Sequence, residues 1–434
     1  MALSTPSTTM PEHDAASLGG KPRVMLLMAP ATYRAGALLD PAKGLGLDVV
    51  QVLDLPEKLQ QTWEVPLAVE FSDPDRAAAR IVAEAQTRPI DAVIAVDDAA
   101  TMVAAKAGAA LGLPHNDPAS ALAARDKWVM REHFAAAGVP VPAYQRVPVE
   151  TDPATIANEL SYPVVVKPTR LSGSRGVIRV DEASQLARAF ERTRRIIANQ
   201  EGTVGGRFVL IEEYLPGVEV AVEGLLSDGT LRVLALFDKP DPLQGPFFEE
   251  TIYVTPSRLS PDTQAAIASG TAEAAKAVGL REGPIHAELR INDAGVWPIE
   301  LAGRSIGGLC STVLEFGTGV SLEALILRHA VGMPLPADEP VREGAGVMMI
   351  PIPKGGMLRA VEGIESARQV PSVTGVEITA KLNQPLVPLP EGASYLGFIF
   401  ARAASPEAAE AALREAHAKL DFRIDPILTM TTGS

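Results

Sequence analysis

The stretch that decides the fold is P-I-H-A-E-L-R-I-N-D-A-G-V-W-P-I-E-L-A-G-R-S-I-G-G, residues 284–308. Two runs of alternating apolar and polar residues flank the tripeptide Asp-Ala-Gly, which is typical of a β-hairpin. Three-residue hairpin loops favour a glycine in the left-handed region at their last position. With Asn292 and Val296 as the closing pair, Glu288 is predicted to lie directly opposite Glu300.

Side-chain parity divides this hairpin into an apolar and a polar face, because successive side chains of a strand point in opposite directions. The apolar face is predicted to contain Ile285, Ala287, Leu289, Ile291, Trp297, Ile299 and Leu301. The polar face is predicted to contain His286, Glu288, Arg290 and Glu300. The hairpin would therefore pack on a core with one face and present two acids with the other.

Two directly opposed carboxylates repel, since their Cβ atoms are only roughly 4.5–5.5 Å apart. Mg²⁺ would relieve that repulsion, because it binds one or two carboxylates together with water and substrate phosphates. Arg304 follows Glu300 by four residues, before a small-residue stretch that ends at Gly307 and Gly308, and it could hold a phosphoryl oxygen. The alternative is an exposed hairpin with solvated charges, and this stretch alone leaves both interpretations open.

Composition limits the class of protein. With 434 residues, 47% of them hydrophobic, the chain is long enough for two to four packed units. The formal net charge is −14 and no Lys/Arg cluster stands out, so a nucleic-acid partner is not expected. The single Cys310 excludes an intramolecular disulfide framework and favours a small buried side chain over a nucleophile.

Targeting signals are not recognisable. No apolar run reaches about 18 residues, so no membrane span is expected. Residues 1–20 are rich in Ser, Thr, Pro and Gly and lack the basic start and apolar core of a signal peptide, so they are interpreted as a disordered leader. Together with the single cysteine, these observations predict a cytoplasmic location.

Residues 21–120 alternate strands and helices, with strands expected at 24–28, 48–53 and 90–96. Such alternation predicts a parallel sheet covered by helices, that is, a Rossmann-like unit. No G-x-G-x-x-G follows the first strand, so dinucleotide binding, and with it an NAD-dependent enzyme, is poorly supported. Residues 116–145 form a linking helix region that includes Lys127.

An apolar strand at residues 162–168 contains Lys167, and a buried ammonium needs a partner. The Ser/Gly loop at 172–176 follows, and a second strand after it completes a hairpin whose backbone N–H groups and hydroxyls suit an anion. An ordinary flexible hairpin is the alternative. Downstream, the strand at 208–215 ends in a Pro-Gly turn before Glu219, which alone is an ordinary feature of a sheet.

The remaining chain adds two features. A Pro/Gly-rich loop at 241–248 precedes Glu249 and Glu250, and it could bind an amine beside an apolar group or form an exposed turn. Residues 341–434 are rich in strand patterns and contain one long helix from Pro406 to about Leu420. We expect this region to be a separate lobe that closes over one side of the site.

In their order and spacing these motifs resemble the ATP-grasp carboxylate–amine ligases, and most closely the bacterial L-amino-acid ligases, or dipeptide synthetases. The resemblance covers about residues 22–425. It implies an α/β fold with α+β lobes, made of an ATP-grasp fold with an N-terminal Rossmann-like (pre-ATP-grasp) domain and a C-terminal β-rich lobe. The expected boundaries are 1–20 for the leader, 21–120 for the Rossmann-like domain, 121–215 for the small lobe with the linking helix, 216–335 for the large lobe and 336–434 for the C-terminal lobe.

The resemblance also implies roles for individual residues. Nucleotide phosphates would be contacted by Lys127, by Lys167, which is also expected in catalysis, and by the mobile loop residues Ser172, Gly173, Ser174 and Gly176. Adenine would be bordered by Glu212, Glu213 and Leu215, and ribose bound by Glu219. The metal would be held by Glu288 and Glu300. The substrates would be contacted by Glu250, His286, Arg304 and Gly307, with Arg304 also catalytic.

The implied reaction is the ATP-dependent activation of an amino-acid carboxylate as an acyl-phosphate, followed by attack of an amine, expected to be a second amino acid. Its cofactors would be ATP and Mg²⁺, for which Mn²⁺ could substitute, and its partners small-molecule carboxylates and amines, with a homodimer expected. Many relatives have a metal-binding Asn where this chain has Ala302, so the number of metal ions stays open. The general base is not assigned, and His286, which points toward the metal face by parity, is one candidate.

Two other functions fit parts of the sequence. Purine-pathway ligases and carboxylases of the biotin type share the hinge and the metal hairpin, although the loop at 241–250 and the C-terminal lobe argue mildly against them. A non-catalytic nucleotide-binding protein on the same scaffold would be expected to lose a metal carboxylate or a phosphate lysine. This chain keeps those residues.

Overall fold

The N-terminal unit is built around a parallel sheet. The structure, a computed structural model, describes residues 20–427 apart from 31, 33, 200–205, 317–318 and 338–342, so nearly all of the predicted leader lies outside the described residues. The elements of the unit are β1 (Arg23–Met28), α1 (Ala35–Gly44), β2 (Asp48–Asp54), β3 (Leu67–Val69), α2 (Pro74–Thr87), β4 (Ala92–Ala95) and α3 (Thr101–Leu111). The strand order is β3-β2-β1-β4, with all pairs parallel, as the strand–helix alternation predicts.

Two helices and a four-stranded antiparallel sheet follow. The elements are α4 (Pro118–Arg125), α5 (Lys127–Ala137), β5 (Tyr144–Pro148), β6 (Val164–Pro168), β7 (Ile178–Val180), α6 (Ala183–Ala198) and β8 (Phe208–Glu213). The sheet order is β5-β8-β6-β7, and β6 with β7 forms the predicted hairpin around the Ser/Gly loop. The linking region is two helices, broken at Asp126, whose carboxylate caps α5 by accepting from the N–H of Trp128.

The large lobe carries the hairpin with two opposed acids that was predicted from the sequence. Its elements are β9 (Val218–Ser227), β10 (Thr230–Asp238), β11 (Ile252–Thr255), α7 (Pro261–Val278), β12 (Gly283–Asn292), β13 (Gly295–Ala302), β14 (Glu315–Phe316), β15 (Val320–Ser321) and α8 (Leu322–Ala330). Short 3₁₀ turns in the described chain include Glu57–Leu59, Asp98–Ala100, Pro153–Thr155, Ala157–Glu159 and Cys310–Val313.

The C-terminal region extends the sheet of the large lobe. Its elements are β16 (Gly344–Ile350), β17 (Gly356–Glu362), α9 (Ile364–Arg368), β18 (Val373–Ile378), β19 (Pro385–Leu386), β20 (Gly397–Ala403), α10 (Pro406–His417) and β21 (Asp421–Asp425). One eight-stranded sheet runs in the order β13-β12-β9-β10-β11-β16-β20-β18, and β19-β17-β21 form a separate small sheet. The expected separate lobe therefore shares its main sheet with the large lobe, because β16 pairs with β11.

Several helices begin with the same sequence signal, an Asp or Ser followed by Pro. The side-chain oxygen accepts a hydrogen bond from a backbone N–H of the first turn, and proline lacks an N–H that would need a partner there. The capping residues of α2, α4, α7 and α10 are Asp73, Asp117, Ser260 and Ser405. None of the described helices combines the length and apolar character of a membrane span.

One apolar cluster joins three parts of the chain. It contains Leu26 from the N-terminal sheet, Phe237 and Ile326 from the large lobe and Phe398 from the C-terminal region, all buried. Burial of this kind is worth roughly 1.5–3 kcal/mol for each large side chain. The three parts are thereby held in a fixed arrangement, and their facing surfaces form the walls of one cavity.

The hairpin of β12 and β13 has a tighter turn than predicted. Asn292 pairs with Gly295, and Ile291 with Val296, so only two residues separate the strands and the predicted Asn292–Val296 closing pair is wrong. A β-bulge follows, since the register shifts between Leu289 and Glu288 and inserts one extra residue on β13.

The shorter turn and the bulge shift the strand register by one residue in opposite directions, so their effects cancel at the two acids. Glu288 pairs with Glu300, so the predicted opposition of the two carboxylates is confirmed. Between the turn and the bulge, the alternation of the β13 side chains is shifted by one residue relative to the prediction. Val296 therefore packs against the apolar core, whereas Trp297 pairs with Arg290 on the other face. Ile299, at the bulge, lines the cavity. The predictions that placed Trp297 and Ile299 on the apolar face are therefore wrong.

Candidate active site

A cavity of about 870 Å³ lies where the N-terminal unit, the small lobe, the large lobe and the C-terminal region meet. Most of the residues singled out in the sequence line it, although they come from distant parts of the chain. They are Lys127, Lys167, Ser172, Gly173, Ser174, Glu212, Glu213, Leu215, Glu219, Glu250, His286, Glu288, Glu300, Arg304 and Gly307. Gly176 is the exception and does not reach the cavity.

The two candidate phosphate lysines are buried in the cavity wall. Lys127, the first residue of α5, donates from Nζ to the Leu171 carbonyl at 2.9 Å and to Glu300 Oε1 at 3.0 Å. It therefore touches both the start of the Ser/Gly loop and one of the two hairpin acids. An ammonium in that position can compensate negative charge at either place.

Lys167 forms an ion pair with Glu212, which also accepts from Arg131 Nε at 2.7 Å. Burial lowers the pKa of Lys167, while the Glu212 carboxylate opposes that shift. The carboxylate of Glu212 is thus occupied by two cations, which leaves its backbone for the predicted contact with adenine. Arg131 was missed from the sequence, because on an amphipathic helix it resembles a surface arginine.

The Ser/Gly loop adopts a backbone that favours glycine. Gly173 has φ +65° and Ser174 has φ +53°, both in the left-handed region. Gly176, with φ +74°, packs behind the loop, where a Cβ would lie 2.8 Å from Pro168 Cγ. The structure therefore gives Gly176 a role in loop conformation, and the hydroxyl groups of the loop border the cavity.

Arg290 connects three parts of the wall. Its guanidinium donates to Glu219 Oε2 at 2.8 Å, and to the carbonyls of Leu215 and Leu243 at 2.6 Å each. The hinge after β8, the acid predicted for ribose and the loop at 241–248 are thereby fixed together. The sequence placed Arg290 on the polar face of the hairpin but gave it no role.

Three acids form a cluster at one end of the cavity. Oxygen atoms of Glu219, Glu250 and Glu288 lie within 4.8 Å of one another. Lys239 occupies their centre: its Nζ donates to Glu219 Oε1 at 2.9 Å, forms an ion pair with Glu250 and lies 3.6 Å from Glu288 Oε1. The ammonium of Lys239 therefore already supplies the positive charge that this cluster requires.

The charge states in this cluster follow from burial and proximity. Burial would lower the pKa of Lys239, but the surrounding carboxylates raise it well above its usual range. Burial, together with the neighbouring Glu288, raises the pKa of Glu250 to about 7, an effect that Lys239 opposes. Glu250 was expected to bind a substrate ammonium, and in the structure Lys239 provides that ammonium. Lys239 was not identified from the sequence.

The opposed acids of the hairpin have separate cationic partners. Glu288 lies 3.4 Å from His286 Nε2, and Glu300 is bound by Lys127. Nδ1 of His286 lies 2.5 Å from Glu223 Oε1, in a fully buried contact. Burial would lower the pKa of His286, but these carboxylates raise it to about 9. A protonated imidazole cannot accept a proton, so this arrangement does not favour His286 as a general base.

Arg304 is held by the N-terminal unit. Its Nε and Nη2 donate to the two carboxylate oxygens of Asp98, both at 2.9 Å, and Nη1 donates to the Ser305 carbonyl at 2.9 Å. Such a bidentate pair fixes the plane of a guanidinium. Asp98 also lines the cavity. No local sequence signal identifies Asp98, since it is 206 residues away from Arg304.

The C-terminal region supplies a wall with aromatic residues, as expected from its proposed position over the site. Tyr395, Phe398 and Gly307 all line the cavity, and a Cβ at Gly307 would meet no atom within 4 Å. Cys310 is buried, and burial raises the pKa of its thiol far above the usual range. This agrees with the interpretation of Cys310 as a packing residue and not a nucleophile.

Models of three domain families match the chain. The ATP-grasp domain matches residues 160–313, the ATP-grasp N-terminal domain matches 39–115, and the L-amino acid ligase C-terminal domain 2 matches 348–425. The last match covers most of the described C-terminal strands.

Two curated proteins that are similar to this chain are ligases. A D-alanine–D-alanine ligase of Aromatoleum aromaticum is 34% identical over 165 residues, 38% of this chain, and the alanine–anticapsin ligase of Bacillus subtilis is 28% identical over 256 residues, 55% of this chain. The chain spans 50% and 53% of the length of these two curated relatives.

Solved structures agree with the domain matches. The L-amino acid ligase from Bacillus licheniformis superposes with a TM-score of 0.80 at 26% identity, over 93% of this chain and 99% of that one. Phosphoribosylglycinamide synthetase from Anaerococcus prevotii, at 16% identity and a TM-score of 0.65 over 94% of this chain and 100% of that one, shares the fold. Residues 160–313 and 39–115 therefore match ATP-grasp domains, and the similarity extends through residues 348–425 to the C-terminal domain of the L-amino acid ligases.

Proposed function

We propose that this protein is an ATP-dependent carboxylate–amine ligase that activates an amino-acid carboxylate as an acyl-phosphate and joins it to the amine of a second amino acid. The observation that carries the proposal is the cavity in which two buried lysines, two opposed acids and a tethered arginine converge. The L-amino acid ligase from Bacillus licheniformis, which superposes over nearly its whole length, supports this choice within the superfamily.

The phosphate end of the proposed ATP site is the wall formed by Lys127, Lys167 and the loop at 172–174. Both ammonium groups are buried, and hydroxyl and backbone groups of the loop face the same space. Phosphoryl transfer needs charge compensation and alignment more than covalent help from the protein. These residues meet that need, and the predicted contacts with ATP stay predictions.

The adenosine end would lie along the hinge after β8. Glu213 and Leu215 border the cavity there, and Glu219 is oriented by Arg290 and Lys239. These two cations fix the orientation of the Glu219 carboxylate, and the remaining lone pair on each oxygen would accept from the hydroxyl groups of a ribose. This assignment rests on the position of these residues and on the resemblance to the family.

The residues present fit a divalent cation. Hard carboxylate oxygens are the ligands that Mg²⁺ prefers, and Mn²⁺ accepts the same donors. Glu288 and Glu300 would hold the ion, which requires that Lys127 release Glu300 or share it. When bound, the ion would supply positive charge to the phosphate oxygens. Ala302 pairs with His286 and offers no side-chain donor, so the proposal leaves the number of ions open.

The acyl-transfer step would use Arg304. A carboxylate oxygen of the substrate attacks the γ-phosphorus and ADP leaves; the amine nitrogen then attacks the acyl carbon and phosphate leaves with that oxygen. Arg304, oriented by Asp98, would donate to the oxyanion that develops on the acyl carbon. Tyr395 and Phe398 would exclude water, since an acyl-phosphate is easily hydrolysed.

A direct test is to incubate the purified full chain with MgATP and all pairs of the common amino acids, measuring phosphate release and identifying products by mass. Amide formation that matches phosphate release would support the proposal. Phosphate release that depends on bicarbonate would favour a carboxylase. Binding of ATP with no ADP formed across the whole panel would favour the non-catalytic alternative. The cytoplasmic location and the homodimer remain predictions.

A further inference from the structure

A second cavity, of about 550 Å³, separates the N-terminal unit from the large lobe, and we name it the interdomain cavity. Its walls come from β4, α3, α4, the loop at 112–116, the turn at 280–284 and the end of α8. Apolar side chains such as Leu113, Ile326 and Val331 cover part of its surface. None of the roles proposed above uses this space.

The edge strand β4 borders the interdomain cavity. Every residue of Ala92–Ala95 lines the cavity, although successive side chains of a strand point to opposite faces. Ala92 and Ile94 are buried in one apolar cluster, whereas Val93 and Ala95 are partly buried against another.

Since residues from both faces of β4 line the space, the backbone edge that they share borders it as well. In the described sheet β4 is the last strand and pairs with β1. The opposite edge of such a strand offers N–H and C=O groups to a ligand that carries a peptide group.

A cation stands beside this edge. Arg125 lies at the end of α4, lines the interdomain cavity and is half-buried. Its guanidinium interacts electrostatically with the carboxylate of Asp98, which also lines the interdomain cavity. A guanidinium stays charged and binds a carboxylate through two parallel hydrogen bonds. The interdomain cavity thus combines an anion-binding group, a strand edge and apolar surface.

Asp98 borders both cavities. It lines the main cavity and the interdomain cavity, and its carboxylate holds Arg304 at 2.9 Å. A negatively charged ligand beside Arg125 would therefore sit next to the residue that orients Arg304. Occupation of one cavity can change the position of a side chain in the other.

We propose that the interdomain cavity binds a small molecule with a free carboxylate and a peptide group, such as an N-acyl amino acid or a short peptide. Arg125 pairs with the carboxylate, the edge of β4 hydrogen-bonds the peptide group, and the apolar wall takes the side chain. The bound ligand acts on the Asp98–Arg304 pair and so modulates the main site.

The probe for the test is N-acetyl-L-leucine, whose blocked nitrogen cannot serve as an amine nucleophile. Its matched control is N-acetyl-L-leucinamide, which has the same shape but no charge. Binding to the full-length protein is measured by calorimetry, so the result does not depend on ligase activity. We expect the acid to bind and the amide to bind at least about tenfold more weakly, because the charge-assisted hydrogen bonds are lost. Equal binding of the two probes would overturn the proposal.

Two variants locate the site. Arg125→Gln removes the cation, and Ala104→Trp fills the interdomain cavity from α3; both should weaken binding of N-acetyl-L-leucine at least about tenfold. Arg195→Gln, on the exposed face of α6, should bind as the wild type does. Undiminished binding by Ala104→Trp would place the probe elsewhere and refute the proposal, even if Arg125→Gln proved unstable.

The coupling is tested separately, by ATP turnover with and without N-acetyl-L-leucine. We expect the probe to change kcat or KM of the wild type and to have no effect on Ala104→Trp. A bound probe that leaves both constants unchanged would refute the link through Asp98.

Discussion

Two cations, Lys127 and the proposed Mg²⁺, compete for the carboxylate of Glu300. In the structure it accepts from Lys127 at 3.0 Å, and in the proposed reaction it also holds Mg²⁺. Glu300→Ala should abolish ADP formation, because one metal ligand is lost and Lys127 loses its partner. Binding of Mn²⁺, followed by its paramagnetic resonance signal, should weaken in parallel. The exposed Glu377→Ala serves as a control, and near-normal turnover of Glu300→Ala would remove Glu300 from the metal site.

Arg304 is oriented by one carboxylate from another domain. Replacing it with alanine should lower product formation by roughly 10²–10³-fold, the scale expected for loss of an oxyanion donor. Asp98→Asn keeps the guanidinium but weakens its tether, so a smaller reduction in the same mass-detected assay is expected. An unchanged rate in Arg304→Ala would exclude it from the acyl-transfer step.

Among the elements, the hairpin of β12 and β13 was the most predictable, although part of its prediction was wrong. The alternation of apolar and polar residues correctly predicted that Glu288 lies opposite Glu300, because burial of one face specifies strand register. The two-residue turn and the bulge are not encoded in alternation, since each changes parity for only a few residues. Trp297 and Ile299 were consequently assigned to the wrong face.

Arg131 joins α5 to both lobes. It is fully buried and donates to Glu212 on β8 and, at 2.7 Å, to the Ile299 carbonyl on β13. Arg131→Met should destabilise the protein by about 3–5 kcal/mol, because the buried Glu212 carboxylate loses one of its two cations. Chemical denaturation measures the change.

The control for that measurement is Arg194→Met, which breaks an exposed ion pair with Glu191 on α6. It should shift the free energy of unfolding by no more than about 0.5 kcal/mol. Equal effects of the two variants would mean that the Arg131 network contributes little to stability.

In the whole molecule, the Ser/Gly loop touches the C-terminal region. A Cβ on Gly173 would lie 3.3 Å from Ala393 Cβ, close to the roughly 3.5–4.5 Å of disulfides. In Gly173→Cys/Ala393→Cys, oxidation should tether the loop and reduce ATP turnover at least about tenfold, since the nucleotide must pass it. Reduction should restore turnover.

Gly173→Cys alone is the control for that experiment, because a cysteine at φ +65° introduces backbone strain of its own. The native Cys310 is buried and should not interfere. Full turnover in the double variant, with the disulfide verified by mass, would contradict a gating role for the loop.

The sequence singled out residues that the structure brings together in one cavity, but not how the parts of the chain contact one another. The pairs Asp98–Arg304 and Lys239–Glu250 depend on tertiary packing, and no residue spacing in the sequence predicts them. The C-terminal region was predicted to be rich in strands, but its union with the large-lobe sheet was not predicted, because strand pairing is non-local. Local sequence patterns therefore indicated many of the residues that line the cavity, but not the residues with which those side chains form ion pairs and hydrogen bonds.

The bulge in β13 also has a consequence for how this site can diverge. Ile299 lies outside the regular ladder yet lines the main cavity, directly beside Glu300. A substitution at this position changes the shape of the cavity without altering which way Glu288 and Glu300 face. During evolution, or in engineering, substrate preference could be adjusted at residue 299 while the acid pair is inherited unchanged.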